Sequence, residues 1–341
     1  MRLSLVLATH RSTNTALSRI CEWASLDPAR FEFVVRDNSE DERKRSFLSA
    51  IDSGCMRLHF VKQCPMGENM REALALATGD FVFLVSDDDW LSTRGLTGLY
   101  EMADSIGDDR SVGCLIGDYL VESRQGSCLF RYCGLDAVDR IGRIGSYLKA
   151  NSPNMLNYCA ARREYGNLCK SLFERFPYQF SFDDQLVSLL YLTLGRVAQV
   201  RRVVYGYDLG EWETTEKALA KDRSFYVDSG LPAEYDRLHY LLLGLEGALL
   251  LQSKLVAERV AGDNSTAASL WFKTMYWKFA HYSREVGYEQ NAANAATQRL
   301  KESLAGRKEV EVRQLLLDVC ETFRVCDPAG AQRYFDFWSS L

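Results

Sequence analysis

Residues 79–90 read Gly-Asp-Phe-Val-Phe-Leu-Val-Ser-Asp-Asp-Asp-Trp, and the fold follows from them. Gly79 and Asp80 make a turn. Phe81 to Val85 are then apolar without a break, mostly β-branched or aromatic, as in a strand buried on both faces. Such strands belong to parallel sheets covered by helices. Asp87, Asp88 and Asp89 then stand beyond the strand's carboxyl end, where open α/β sheets hold their ligands. Three adjacent carboxylates repel one another unless a cation sits among them. A hard divalent ion shared with a substrate's phosphates is one answer. An acidic turn that caps the next helix is the other.

Upstream, the same rhythm repeats. Leu3–Ala8, Phe31–Val35 and Arg57–Val61 read as strands. Helical spacing follows each of the three: Thr15–Ala24, Glu42–Ser53, and a helix opening at Met66 and Gly67 and ending near Thr78. Strand and helix alternate over the first ninety residues, which argues a parallel sheet with right-handed crossovers. Polar residues gather after the strands. Thr9 to Ser12, Asp37 to Asp41 and Asp87 to Asp89 therefore share one rim. No GxGxxG and no GxxxxGK[ST] occurs, so the usual glycine-rich phosphate cradles are absent.

Downstream, Thr93–Ile106 reads as a helix, and 111–121 and 127–133 as a hairpin. Glycines make residues 136–150 mixed in character. A strand at 156–161 and a helix at 162–176 precede residues 180–195, where Asp183 and Asp184 open a leucine-rich helix. Arg196–Tyr205 reads as the last strand. Residues 208–222 are polar, and from Pro232 onward the pattern is helical. The expected division is an α/β domain at 1–212 and an all-α helical domain at 213–341. The 341 residues suit roughly two domains of ~150 residues.

Charge and composition exclude several classes. A net charge of −5 offers no general footprint for nucleic acid. The ten cysteines form no CxxC pair and read as reduced thiols. His10, His59, His239 and His281 are isolated, and HExxH and GxSxG are missing, which argues against zinc and serine hydrolases. The amino-terminal apolar run is too short for a signal peptide or a membrane span, so the expected location is cytoplasmic.

Four stretches, in order, resemble family 2 glycosyltransferases of GT-A fold over about the first 210 residues: LSLVLATHRST (3–13), FEFVVRDNSED (31–41), MGENMREALALATGDFVFLVSDDDW (66–90) and FSFDDQLVSLLYLTLG (180–195). The resemblance implies a mostly parallel GT-A sheet flanked by helices, with an all-α C-terminal domain. It implies transfer of a sugar from a nucleoside diphosphate sugar to a glycan or lipid-linked acceptor hydroxyl, with inversion, in bacterial surface glycan synthesis. Thr9, Arg11 and Asp37 match positions that hold base and ribose, and Arg71 lies in the helix reaching toward the sugar and diphosphate. Asp87 and Asp89 frame the DxD motif as ligands of Mg2+ or Mn2+, with Asp88 beside them on the substrate. Asp183 and Asp184 match the catalytic-base pair, Asp184 being preferred, and are expected across a cleft from Asp89. Two departures stand out: Ser86 replaces the first aspartate of Asp-x-Asp-Asp, and the base pair is Asp-Asp where Glu-Asp is commoner.

Trp90 suits either a sugar-binding face or a core anchor. Tyr205, Tyr207, Asp208 and Trp212 suit either a lid over the diphosphate or an interdomain linker. The C-terminal helices leave open core packing, a homo-oligomer interface and peripheral contact with the inner face of the membrane, with Arg299, Lys301, Arg307 and Lys308 as a modest basic cluster. Two alternatives to the transferase are a nucleotidyltransferase and a catalytically silent nucleotide- or glycan-binding protein.

Overall fold

The computed structural model describes residues 1–150, 154–180, 182–210, 212–282, 290–305, 307 and 309–341. Backbone contacts divide the chain into two compact units. The first comprises Met1–Val138, Met155–Glu174 and Gly195–Gly210; the second comprises Asp139–Asn154, Arg175–Leu194 and Glu211–Leu341. These units cut the chain differently from a single boundary at 212/213.

The first unit holds the whole sheet. Its strands are β1 (Leu3–Thr9), β2 (Phe31–Asp37), β3 (Met56–Phe60), β4 (Phe81–Val85), β5 (Trp90–Leu91), β6 (Val112–Ser123), β7 (Gly126–Phe130), β8 (Ala160–Arg162) and β9 (Arg196–Asp208). Their order is β3-β2-β1-β4-β8-β6-β9-β5, with β7 paired to β6. The β3-β2-β1-β4 run is parallel throughout, as the strand–helix alternation implies. Beyond β4 the sheet is mixed: β8 runs antiparallel to both β4 and β6, and β6 and β9 are parallel.

The strands β1, β2 and β4 are mostly buried because both faces of the sheet are covered there, while the edge strand β3 is partly exposed. Val6, Val34 and Val82 pack with Ala73 and Ala77, from α3 (Met66–Ala75) and the turn after it. On the other side Trp23, from α1 (Asn14–Ala24), meets Phe33 edge-on at 5.8 Å. Strand order reverses between β1 and β4, since β2 and β3 lie to one side of β1 and β4 to the other. The loops after β1 and β4 therefore open at a switch point, the usual ligand crevice of such sheets.

The remaining helices of the first unit are α2 (Glu42–Ser49), α4 (Thr93–Ile106) and α6 (Arg163–Phe173); α5 (Arg140–Ala150) belongs to the second unit. That unit is helical: α5, α7 (Asp183–Leu194), α8 (Thr215–Asp228), α9 (His239–Gln252), α10 (Lys254–Ala257), α11 (Asn264–His281), α12 (Ala292–Ala305), α13 (Val312–Arg324) and α14 (Pro328–Ser340). Three differences from the sequence reading have physical causes. A helix forms at Arg140–Ala150 despite Gly142 and Gly145, because Arg143 and Ile144 are buried in this unit. The polar stretch after Asp208 contains α8, started by a Thr214 hydroxyl that caps the Lys217 amide. Helix α7, which Asp183 and Asp184 open, packs on α9, which is why it groups with the C-terminal helices.

Among the described residues no helix is long and apolar enough to cross a membrane. Of the basic cluster, Arg307 pairs with Asp318 at 2.7 Å, and Lys308 lies outside the described residues.

Candidate active site

In the first unit, β1, β2 and β4 deliver Thr9, Asp37 and the aspartate triplet to one rim. Thr9 and Asp37 are the last residues of adjacent parallel strands and are partners in register. Helix α2 starts from an Asp41 cap that accepts from the Arg43 and Lys44 amides. The Ser12 hydroxyl, from the loop after β1, bonds the same carboxylate and holds it below its ordinary range. Loop and helix are thereby tied together, and Lys44 is turned into the sheet.

Lys44 is the residue the sequence reading missed. Its ammonium donates to Asp37 Oδ1 and to Thr9 Oγ1, each at 2.9 Å, and its side chain is fully buried. Asp37 Oδ1 also accepts from the Ser39 amide, and Oδ2 from the Ser39 hydroxyl, both at 3.1 Å. The Thr9 hydroxyl donates onward to Asp87 Oδ2. Arg11 closes the chain of bonds: Nη1 lies 2.7 Å from Asp87 Oδ1 and Nη2 lies 2.9 Å from Asp88 Oδ2. Thr9, Arg11, Asp37, Asp87 and Asp88 are thus one connected network, with Lys44 inside it. A lysine in a helix's first turn opposes the helix dipole. Arg43 and Arg45 flank it with the same charge, so only the fold singles Lys44 out.

The triplet is divided by burial. Asp87 and Asp89 are buried, while the Asp88 side chain is 49% exposed. Asp89 turns to β9: Tyr205 donates its hydroxyl to Oδ2 at 2.6 Å and the Asp208 amide donates to Oδ1 at 3.0 Å. Burial pushes the Asp89 carboxyl up to about 7, Asp88 and Asp208 adding to the effect and the two hydrogen bonds opposing it. Tyr205 and Asp208, considered from sequence as lid or linker, are therefore partners of the triplet. Trp90 pairs across from Gly206, and its indole lies so close that a Cβ there would stand 1.9 Å from Nε1. Its ring lies against Gly206 of β9. Arg71 lies half-buried on α3, with no hydrogen bond or ion pair to the triplet among the described residues.

The residues present do not form a metal cage. Five of the six triplet oxygens accept hydrogen bonds, Asp87 from Thr9 and Arg11, Asp88 Oδ1 from Ser86, and Asp89 from Tyr205 and the Asp208 amide, and the sixth, Asp88 Oδ2, is ion-paired with Arg11. Asp87 and Asp89, the ligands expected for Mg2+ or Mn2+, face different partners. Among the described residues no three His, Cys, Asp or Glu side chains converge as metal ligands.

Solved structures with the same architecture include S. aureus TarS 1-349, at TM-score 0.54 and 14% identity, covering 100% of this chain and 91% of that one. The complex of TarS 1-349 with UDP-GlcNAc matches at TM-score 0.56 and 15% identity, again over 100% of this chain and 91% of that one. This chain has their fold. A longer TarS structure matches at TM-score 0.51 and 15% identity, with all of this chain on 55% of that one. At such identity the likeness is one of fold, and the fold is the GT-A-type sheet with a helical C-terminal region that the sequence implies. No family model and no curated protein matches.

In the second unit, Asp183 and Asp184 open α7. Asp183 Oδ2 accepts from the Phe180 amide at 3.1 Å, and its Oδ1 has no hydrogen-bond partner among the described residues. Burial raises the Asp183 carboxyl well above the carboxylate range, and Glu246 and Asp184 add to it. Burial also raises Asp184, to about 6, with the Asn154 side chain opposing. Tyr147 and Ser188 hold Asn154 in place by donating to its Oδ1 at 2.6 and 2.7 Å. Glu246, on α9, is pushed up to about 8 by burial and accepts from Tyr334 at 2.6 Å. Neighbouring carboxyls whose affinities for protons are driven apart can divide acid and base roles.

Proposed function

We propose that the chain is a glycosyltransferase that moves a sugar, with inversion, from a nucleoside diphosphate sugar to an acceptor hydroxyl. The observation that carries this reading is the network of Asp37, Lys44, Thr9, Asp87, Arg11 and Asp88. It lies at the carboxyl ends of β1, β2 and β4, around the switch point of a sheet with the fold of a UDP-GlcNAc-binding protein. Arg11 and Asp88, the partly exposed members, meet the donor. Thr9, Asp37, Lys44 and Asp87 are buried and fix that rim in place. Trp90 offers an aromatic edge beside the donor sugar, and Arg71 supports the sugar and diphosphate from α3.

The proposed base is Asp184. A base works best when its affinity for protons lies near the working pH. Burial lifts Asp184 to about 6, close to neutral pH, and raises Asp183 in the same direction with Glu246 adding to it. Asp184 accepts the hydrogen of the acceptor hydroxyl while that oxygen bonds to the anomeric carbon. The bond from that carbon to the diphosphate oxygen breaks, the electron pair leaves with the nucleoside diphosphate, and attack from the opposite face inverts the centre. The helical second unit is assigned to the acceptor, a glycan or lipid-linked saccharide of a bacterial surface polymer.

The test is release of nucleoside diphosphate from a panel of sugar nucleotides with oligosaccharide acceptors. Acceptor-dependent release that falls about a hundredfold or more in Asp184→Asn supports the assignment. A protein that binds no sugar nucleotide and releases none is not a glycosyltransferase.

A further inference from the structure

A cation is one of the two answers the sequence offers to the repulsion in the triplet, and for Asp87 and Asp88 the chain itself supplies one. The Arg11 guanidinium spans Asp87 Oδ1 at 2.7 Å and Asp88 Oδ2 at 2.9 Å. Its two partners differ. Asp87 is buried and held from behind by Thr9, which Lys44 holds in turn. Asp88 is half in solvent, and its other oxygen accepts from Ser86. The Arg11 side chain is itself 35% exposed, at the outer edge of the network. Arginine carries five donors in a planar fork that matches phosphate oxygens two at a time, and its charge is permanent. One edge of that fork can stay on Asp87 while the other exchanges Asp88 for phosphate.

We propose that Arg11, and not a divalent ion, is the cation that meets the donor's diphosphate in this protein, so that donor binding proceeds without added metal. This rests on the glycosyltransferase reading above. Asp87 anchors the guanidinium. Asp88, released from it, turns to solvent or accepts from the sugar's hydroxyls. Lys44 stays buried and keeps Thr9 and Asp37 from shifting as charge accumulates at the rim.

The experiment is isothermal titration of the full chain with UDP and with GDP, in EDTA and in Mn2+, for wild type, Arg11→Gln and Arg11→Lys. The expected result is one nucleotide whose Kd agrees within about fivefold between the two buffers. Arg11→Gln weakens that binding in EDTA by about tenfold or more, the worth of a charge-assisted pair of bonds. Arg11→Lys recovers part of the loss, because a point charge lacks the fork. Wild-type binding weaker by more than about fivefold in EDTA than in Mn2+ overturns the inference and leaves the glycosyltransferase reading standing. Arg11→Gln that folds and binds like wild type overturns it too, and the wild-type comparison decides alone if that variant does not fold. Absence of binding by either nucleotide in both buffers removes the parent reading, and this inference with it.

Discussion

The Lys44 ammonium lies 2.9 Å from Asp37 Oδ1, and both side chains are fully buried. The pair joins α2 to the end of β2, and through Thr9 it reaches the aspartate triplet. Removing one partner of a buried pair strands the other charge and costs about 3–5 kcal/mol, more than the pair itself contributes. Lys44→Met is therefore expected to lose about 3–5 kcal/mol in urea denaturation. Adding Asp37→Leu is expected to return a substantial part of that loss. A single variant as stable as wild type shows that the two groups are not paired.

Tyr205 reaches the triplet from the other side, donating to Asp89 at 2.6 Å. Tyr205→Phe leaves a buried oxygen short of a donor, at a cost of about 1–3 kcal/mol. The pH dependence has a definite sign. Asp89 is raised from 3.8 to about 7 in the folded chain, so its contribution to stability is complete below about 4 and is lost as pH rises through 7. Denaturation midpoints at pH 6 and pH 8 should differ more in Tyr205→Phe than in wild type, and less in Asp89→Asn. Identical slopes in all three proteins place Asp89 in water.

The two aspartates at the start of α7 make opposite predictions. Asp184→Asn is expected to lower kcat by about a hundredfold or more, because it removes the base. Asp183→Asn is expected to lower it by less than about tenfold, since Asp183 Oδ2 accepts from the Phe180 amide and serves the start of the helix. The acid limb of kcat/KM should bend near pH 6, the value to which burial lifts Asp184. Steady-state kinetics from pH 5 to 8 measures both, and a larger loss in the Asp183 variant reverses the assignment.

Glu246 gives a stability test that needs no substrate. It is raised from 4.5 to about 8, so it favours the folded state fully below about 4.5 and loses that contribution as pH climbs through 8. Glu246→Gln keeps an oxygen for the Tyr334 hydroxyl and has no proton to lose. Its Tm should fall less than the wild-type Tm between pH 5 and pH 9. Parallel curves mean that the wild-type carboxyl is not forced to stay protonated.

Local pattern in the chain was enough to determine the strands β1 to β4 and the helices between them, because β1, β2 and β4 are buried on both faces and leave apolar runs, and the edge strand β3 sits between two helical patterns. It also placed Thr9, Asp37 and the triplet on one rim, since parallel strands end on the same side. The resemblance further along the chain singled out Asp183 and Asp184. Tertiary structure alone decided which carboxylate faces which partner. Asp87, Asp88 and Asp89 are chemically identical in sequence, and only their surroundings make one the anchor of Arg11, one exposed and one a high-affinity proton site under Tyr205. Lys44 was passed over, and Tyr205 and Asp208 were read only as lid or linker, for the same reason. Their roles come from partners 7, 35, 116 and 119 positions away, and a contact across such a span is set by how the sheet and its helices close, not by neighbours in the chain.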